Sequence, residues 1–330
     1  MGDVAMTVPV LRAFVKQYPH IKITVVSRSF FKPFFDTIPS VSFFAFDEKV
    51  KHKGVFGLFR LFKELKALNV DAFADLHNVL RSKVVRSLFA LSGRKIAAVD
   101  KGRAEKKALT RVENKIFKPL STMFQRHQLV FESLGFPVDL SNPSFPEKAK
   151  QSENILNAIG GKSPVMIGIA PFAQYNSKVY PLDLIQKVIN QLAENSSYKI
   201  VLFGGGKKES EMLDSLLQQH KNVVNMAGKI KFTEELELIS NLDVMLSMDS
   251  GNAHIAAMLG VKVVSLWGAT HPYAGFVPFN QPLENSLVPD RTIYPLLPTS
   301  VYGNKEVEGY QDVMRTITPT MVVELIKSNL

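Results

Sequence analysis

Residues 246–260, LSMDSGNAHIAAMLG, decide how this chain is read. An apolar run ends at Asp249 and Ser250, Gly251 lets the backbone turn tightly, and a short apolar helix pattern starts at once. A strand that runs straight into a helix sets the free N–H groups of the first helical turn beside the strand end, where they suit an anion. Asp249, Ser250 and Gly251 stand at that turn, and His254 lies in the first turn of the helix. The same residues also suit an ordinary strand-to-helix turn with Asp249 or Ser250 as the N-cap.

Working outward, the alternation continues. VMIGIA (165–170), KIVLFGG (199–205), NVVNMAG (222–228) and VKVVSLWG (261–268) read as strands. LDLIQKVINQLAEN (182–195), ESEMLDSLLQQH (209–220) and FTEELELISNL (232–242, capped by Thr233) read as helices between them. The first half follows the same rule. IKITVV (21–26), VDAFADL (70–76) and KIAAV (95–99) are strands, VFGLFRLFKELKAL (55–68) and SKVVRSLFALS (82–92) are helices, and 100–135 is helical and polar, stopping at Gly135. PVDLSNPSFPEKAK (137–150) carries three prolines and marks a linker, so a domain boundary is placed within 140–160. Strands and helices in turn predict parallel sheets covered on both faces, in two doubly wound domains, 1–150 and 151–330.

Ligands in such sheets bind beyond the carboxyl ends of the strands. Lys178 lies on the polar loop of IAPFAQYNSKVYP (169–181), placed to neutralise a diphosphate or else simply solvated. The glycines of VLFGGGKKESE (201–211) match neither a dinucleotide fingerprint nor a Walker loop. Glu209 beyond them suits ribose hydroxyls, or the N-terminus of its own helix. LWGATHP (266–272) brings Gly268, Thr270 and His271 to the same rim, with Trp267 read as core. In the first half, DLHNVLRS (75–82) ends a strand with Asp75, His77 and Arg81, of which Arg81 suits an anionic substrate. No metal-ligand spacing is present.

Bulk composition narrows the classes. The 330 residues include no cysteine, which excludes disulfides and thiolate metal sites. No apolar run approaches the roughly 20 residues of a membrane span. The N-terminus lacks a signal-peptide pattern, so a cytoplasmic protein is expected. Charge is uneven: residues 1–150 carry 26 Lys+Arg against 13 Asp+Glu, whereas the remainder is slightly acidic. The densest basic stretch, 81–118, suits an anionic membrane or an acidic glycolipid, or is merely a solvated face. No nucleic-acid-binding motif accompanies it, and nucleic acid is not expected as a partner.

Taken in order, G-D-x-x-x-T-x-P from Gly2, D-L-x-x-x-x-R-S from Asp75, the Lys178–Tyr180–Pro181 loop, the glycine loop with Glu209, MAGK (226–229), D-S-G-x-x-H-I-A-A from Asp249 and W-G-x-T-x-P from Trp267 resemble glycosyltransferase family 9. Its best-known members are ADP-heptose:lipopolysaccharide heptosyltransferases. The resemblance covers nearly the whole chain, and its most specific part is D-S-G-x-x-H-I-A-A with the downstream G-x-T-x-P. Tyr180 departs from the Trp of many relatives, and 280–320 matches little before ITPTMVVELI.

The resemblance implies a glycosyltransferase B fold: two Rossmann-like domains facing across a cleft, the first taking the lipid-linked acceptor and the second the nucleotide-sugar. It implies inverting, metal-independent transfer of a sugar, heptose being the family expectation, from an ADP-linked donor, with no cofactor. By family position Asp3 is the general base and Lys178 stabilises the leaving diphosphate. Glu209 takes the ribose, the main chain at Lys229 and Ile230 lines the adenine pocket, and Asp249, Ser250, Gly251 and His254 hold the donor. Asp75, His77 and Arg81 are the acceptor-side candidates. Relatives have a strand before the Gly-Asp pair, so this chain is expected to lack a first strand and to leave neighbouring strand edges unpaired. The rival readings are another two-domain sugar-nucleotide enzyme, such as an epimerase, and a non-enzymatic basic binder of membranes or nucleic acid.

Overall fold

The computed structural model describes residues 1–161, 163–217 and 220–330. The chain forms two compact units: residues 3–103 with 121–146, and residues 104–120 with 147–330. The chain thus passes from one unit to the other at 146/147, and the second unit also takes 104–120, a segment that the expected single division does not foresee.

In chain order, and apart from Gly2, the first unit contains α1 (Gly2–Ala5), α2 (Thr7–Gln17), β1 (Ile23–Ser27), β2 (Val41–Ala45), α3 (Gly54–Lys66), β3 (Ala72–Asp75), α4 (Leu80–Leu91) and β4 (Lys95–Ala98). After α5 (Arg103–Thr110) the unit resumes with α6 (Met123–Ser133). Pro9 is tolerated near the start of α2, where an intrahelical N–H bond is not yet needed. Val8, Leu11 and Val15 of this helix are buried, and Phe14 meets Phe131 of α6 at 4.7 Å between ring centroids. The helices α3 and α4 share a small core of Leu58, Leu61, Phe62, Leu65, Val85 and Phe89. Its strands form two separate parallel pairs, β1 with β2 and β3 with β4. The strand β2 is absent from the sequence reading because its VSFFA stretch sits in a phenylalanine-rich region that hides any alternation.

The second unit contains α7 (Glu153–Ile159), β5 (Val165–Ala170), α8 (Leu182–Ala193), β6 (Tyr198–Leu202), α9 (Gly206–Leu216), β7 (Val223–Asn225) and α10 (Phe232–Ser240). It continues with β8 (Val244–Met248), α11 (Gly251–Met258), β9 (Lys262–Leu266), β10 (Ser286–Leu287) and α12 (Pro319–Ser328). One all-parallel sheet runs in the order β10-β9-β8-β5-β6-β7. Both faces are covered, so β8 is buried along its length, and the core gathers Ile167, Ile169, Val244, Leu246 and Val264 against Ile185, Ile189 and Ile326. The chain moves outward from β5 to β7, then returns to the other side of β5 with β8. The topological switch point therefore lies between β5 and β8.

Three helix expectations need correction. Thr233 does not cap α10; the cap residue is Lys231, whose backbone N–H donates to Glu234 Oε2 at 2.8 Å. A carboxylate in the third helical position reaches back to the cap residue's own N–H, so this end is held without a Thr side chain at the cap. The helix expected over 209–220 begins earlier, at Gly206, and Gln218 and Gln219 lie outside the described residues. The stretch expected to be helical over 100–135 is broken at 111–122, where tertiary contacts replace helix bonds: Lys115 Nζ donates to the Leu296 and Pro298 carbonyls, and Leu120 N to Tyr273 O. Among the described residues, no helix is long and apolar enough to cross a membrane.

Candidate active site

The strands β5 and β8, which flank the switch point, deliver one residue each. Asp249 follows β8 directly, and its backbone N–H donates to Leu266 O at 3.0 Å, which extends the β8–β9 pairing by one bond. Lys178 closes the short 3-10 turn Asn176–Lys178 in the loop after β5. The two meet: Lys178 Nζ lies 3.0 Å from Asp249 Oδ2, with side chains only 12% and 10% exposed. Thr270 Oγ1 donates to the same Oδ2 at 2.8 Å. So little exposure takes the pair largely out of water, and the hydroxyl adds a second bond that helps offset that desolvation.

The surroundings fix this arrangement. Tyr180 is fully buried, donates its N–H to Met248 Sδ and its hydroxyl to Ile317 O at 2.7 Å, and so anchors the loop two residues beyond the lysine. Ala269 N donates to Ser177 O at 2.9 Å. Gly268 is required there, since a Cβ would sit 2.1 Å from that carbonyl oxygen. Above the lysine, Gly303 has φ +83° and a Cβ on it would meet Lys178 Cγ and Cδ at 2.6 Å, while Ser177 Oγ donates to Gly303 O. The loop 299–304 therefore closes onto the lysine stem.

The helix α11 begins at the same place. Ser250 is its cap residue in extended conformation (φ −148°, ψ 177°), and its hydroxyl lies 3.1 Å from Ser247 Oγ. The turn is thus made by Ser250, while Gly251 enters as the first helical residue without positive φ. The first-turn N–H groups and the helix dipole favour an anion beside the Lys178 ammonium. His254 is buried in this helix.

Other donor-side candidates stand on neighbouring strand ends. The Glu209 Oε2 accepts from Gly205 N at 2.6 Å, at the N-terminus of its own helix. Lys229 is exposed, 4.0 Å from Asp214, and Ile230 is half-buried, on the turn between β7 and α10.

The first-unit candidates divide. The Asp75 carboxylate is buried and committed to its own loop, accepting from His77 N (3.2 Å), Asn78 N (2.6 Å) and Arg86 Nη1 (3.0 Å). The Arg81 guanidinium pairs with Glu48 and lies 5.6 Å from the Phe46 ring centroid. By contrast Asp3 is 67% exposed, and its Oδ2 lies 3.7 Å from His77 Nε2. Burial pulls the His77 imidazole below its ordinary value, against the opposing pull of Asp3. The structure thus joins Asp3 with His77, and Lys178 with Asp249, and leaves Arg81 to Glu48.

Two features escaped the candidate residues. Thr270 was visible in the rim motif, but its bond to a residue 21 positions earlier exists only through the β8–β9 pairing. The second is a cluster at the rim: Phe117 meets the His271 ring at 5.0 Å, and the Arg291 guanidinium lies 3.6 Å from the Phe117 ring centroid. Burial, with Arg291 and Lys115 nearby, pushes the His271 imidazole down to about 4. No spacing signal announces contacts so far apart in sequence. Among the described residues no group of three or more His, Cys, Asp or Glu side chains could hold a metal ion.

Comparison with known proteins adds the following. The sequence profile of glycosyltransferase family 9 (heptosyltransferase) matches residues 58–295. A lipooligosaccharide heptosyltransferase 2 of Haemophilus influenzae is 29% identical over 100% of this chain and 96% of its own. Among solved structures, the glycosyltransferase family 9 protein of Veillonella parvula superposes with a TM-score of 0.75 at 20% identity, covering 99% of this chain and 94% of that one. The ADP-heptose lps heptosyltransferase II of E. coli gives 0.69 at 19% identity, covering 99% and 95%. These likenesses show the glycosyltransferase B fold.

Proposed function

The chain belongs to glycosyltransferase family 9, and we propose that it transfers a heptose from ADP-heptose to an anionic, lipopolysaccharide core-type acceptor, with inversion and without a metal. The observation that carries the reading is the Lys178–Asp249–Thr270 centre at the switch point beside α11. A leaving diphosphate gathers negative charge as the glycosidic bond breaks. An ammonium held out of water next to a helix N-terminus stabilises that charge at little reorganisation cost. Asp249 keeps the ammonium in place until the diphosphate competes for it, and its carboxylate is then free to take a donor-sugar hydroxyl. Glu209 has a second carboxylate oxygen for the ribose, and the Lys229–Ile230 turn borders the adenine.

Asp3 has the opposite setting, which suits its role. Its exposed carboxylate takes the proton from the acceptor hydroxyl, whose oxygen then attacks the anomeric carbon on the face opposite the diphosphate. On the acceptor side the Lys101 ammonium supplies positive charge near Asp3, and the His77 imidazole lies beside that carboxylate. The enzyme acts in the cytoplasm, peripheral to the membrane that bears the acceptor.

Calorimetric titration with ADP, UDP, GDP and CMP in the presence of EDTA tests the donor assignment. ADP alone should bind, and Asp249→Ala should weaken it. Preference for another nucleotide would move the donor class, and loss of transfer on chelation would remove the metal-free mechanism.

A further inference from the structure

The helix α3 has two faces of unlike fate. Leu58, Leu61, Phe62 and Leu65 enter the small core. At 100° per residue, Val55, Phe59, Lys63 and Phe56 share the neighbouring arc, which turns away from that core. There Phe56 is 93% exposed, Val55 74% and Phe59 46%. Isolated exposed apolar residues are ordinary, but a contiguous group that includes two aromatics marks an interaction surface.

The loop before the helix adds to the group. The Asp47 carboxylate accepts from the backbone N–H groups of Lys49, Val50 and Lys51, so Val50, 80% exposed, is held outward on a bonded loop. His52 completes the brace, stacked on Phe46 at 5.5 Å with Nε2 3.2 Å from Glu64.

Charge names the partner. Residues 49–66 contain six Lys and Arg and one acid, Glu64. That acid is already shared by Lys51 and His52. Lys63 holds its ammonium over the Phe59 ring, 4.9 Å from the centroid, so charge and aromatic share one face of the helix. A second copy of the chain meeting this face would bring the two cation sets together. A surface that is apolar below and anionic above accepts both features at once.

We propose that the outward face of α3, with the Val50 loop, docks the enzyme on an anionic lipid bilayer. The inference deepens the proposed function, resting on the reading that the acceptor is carried by a lipid. The aromatic and valine side chains enter the headgroup boundary, and Lys53, Lys63 and their neighbours meet lipid phosphates.

Co-sedimentation of the full chain with vesicles tests it. Vesicles of equal parts phosphatidylcholine and phosphatidylglycerol should retain the chain roughly tenfold better than phosphatidylcholine alone. Val55→Ser with Phe56→Ser should reduce retention by roughly tenfold, with ADP affinity and thermal midpoint unchanged. Lys53→Glu with Lys63→Glu should abolish the preference for the anionic lipid. A serine variant that sediments like the unaltered chain overturns the proposal. So does binding to polyglutamate without binding to vesicles, which makes the partner an acidic protein. A dimer in sedimentation velocity that the serine variant dissolves, without vesicle binding, also overturns it in favour of a second copy. Transfer to an acyl-free core oligosaccharide is measured in parallel: its absence with intact vesicle binding rejects the transferase reading and leaves the docking face standing.

Discussion

The two units place carboxylates at strand and helix ends in opposite settings. Asp249 is almost closed from water and fixed by Lys178 and Thr270 through bonds of 3.0 and 2.8 Å. Asp3 is 67% exposed, and its nearest ion-pair partner, His77, is 3.7 Å away. The supporting sheets differ in the same sense. The strand β8 is buried between two neighbours in a six-stranded sheet, whereas β1 is paired on one side only and none of its residues is fully buried. A group that stabilises charge during bond breaking works best dry and prearranged. A group that takes a proton from an incoming acceptor has to be reachable. On the proposed roles, rigidity is concentrated where the leaving group departs.

The largest effect should come from the open side. Asp3→Asn removes the proposed proton acceptor while keeping its size, and kcat should fall by up to about 10⁴-fold. ADP affinity, measured by calorimetry, should not change. Retained turnover would make Asp3 a bystander and dissolve the contrast. Lys178→Ala should lower kcat/KM by about 10³-fold and also weaken ADP, because it removes charge from the donor side and leaves Asp249 buried beside Thr270 alone. If Lys178→Ala spared ADP while Asp3→Asn did not, the two settings would have been assigned the wrong way round.

Acid tests whether both units are stably folded. His127 in the first unit and His271 in the second are buried, and burial pushes each imidazole down to about 4. The unfolded chain titrates near 6.5, so between about 4 and about 6.5 it binds more protons than the folded chain. Stability is therefore whole above about 6.5 and is lost as pH falls toward about 4, by about 3 kcal/mol for each histidine. Scanning calorimetry from pH 7 to pH 4 should show the loss, and His127→Gln should flatten its share. A midpoint independent of pH would mean that neither ring is as dry as the packing shows.

Much of this was legible in the sequence, for a physical reason. Strands buried on both faces read as unbroken apolar runs, so VMIGIA, KIVLF and DVMLSM located β5, β6 and β8 without knowledge of their neighbours. The residue after β8 and the loop after β5 then followed from where strands end. Strand order did not follow: nothing local says that β8 returns beside β5, and only that return sets Lys178 against Asp249. The 104–120 segment was opaque for the same cause, since its bonds go to carbonyls at 296 and 298 that sequence spacing cannot reveal. Asp75 shows the converse: it looked like a substrate carboxylate at a strand end, and its three bonds are all to its own unit.

Thr270 gives the finest test of the contrast, because it touches only the closed side. Its hydroxyl is buried and donates to the oxygen of Asp249 that also meets Lys178. Thr270→Val keeps the volume and shape and removes that donor. The carboxylate then loses one bond, worth about 1.5–3 kcal/mol to a charged acceptor, and leans more heavily on Lys178. The ammonium is held more tightly by Asp249 and yields less readily to the diphosphate, so kcat/KM should fall about tenfold. The donor KM should rise more than kcat falls. Thr270→Ser restores the hydroxyl and should recover most of the loss. A purely structural role predicts otherwise: a lower thermal midpoint for Thr270→Val, and a lower apparent kcat with KM unchanged, through loss of folded enzyme. Should Thr270→Val match the unaltered enzyme, Lys178 alone orients Asp249, and the closed site is held by one contact as the open site is.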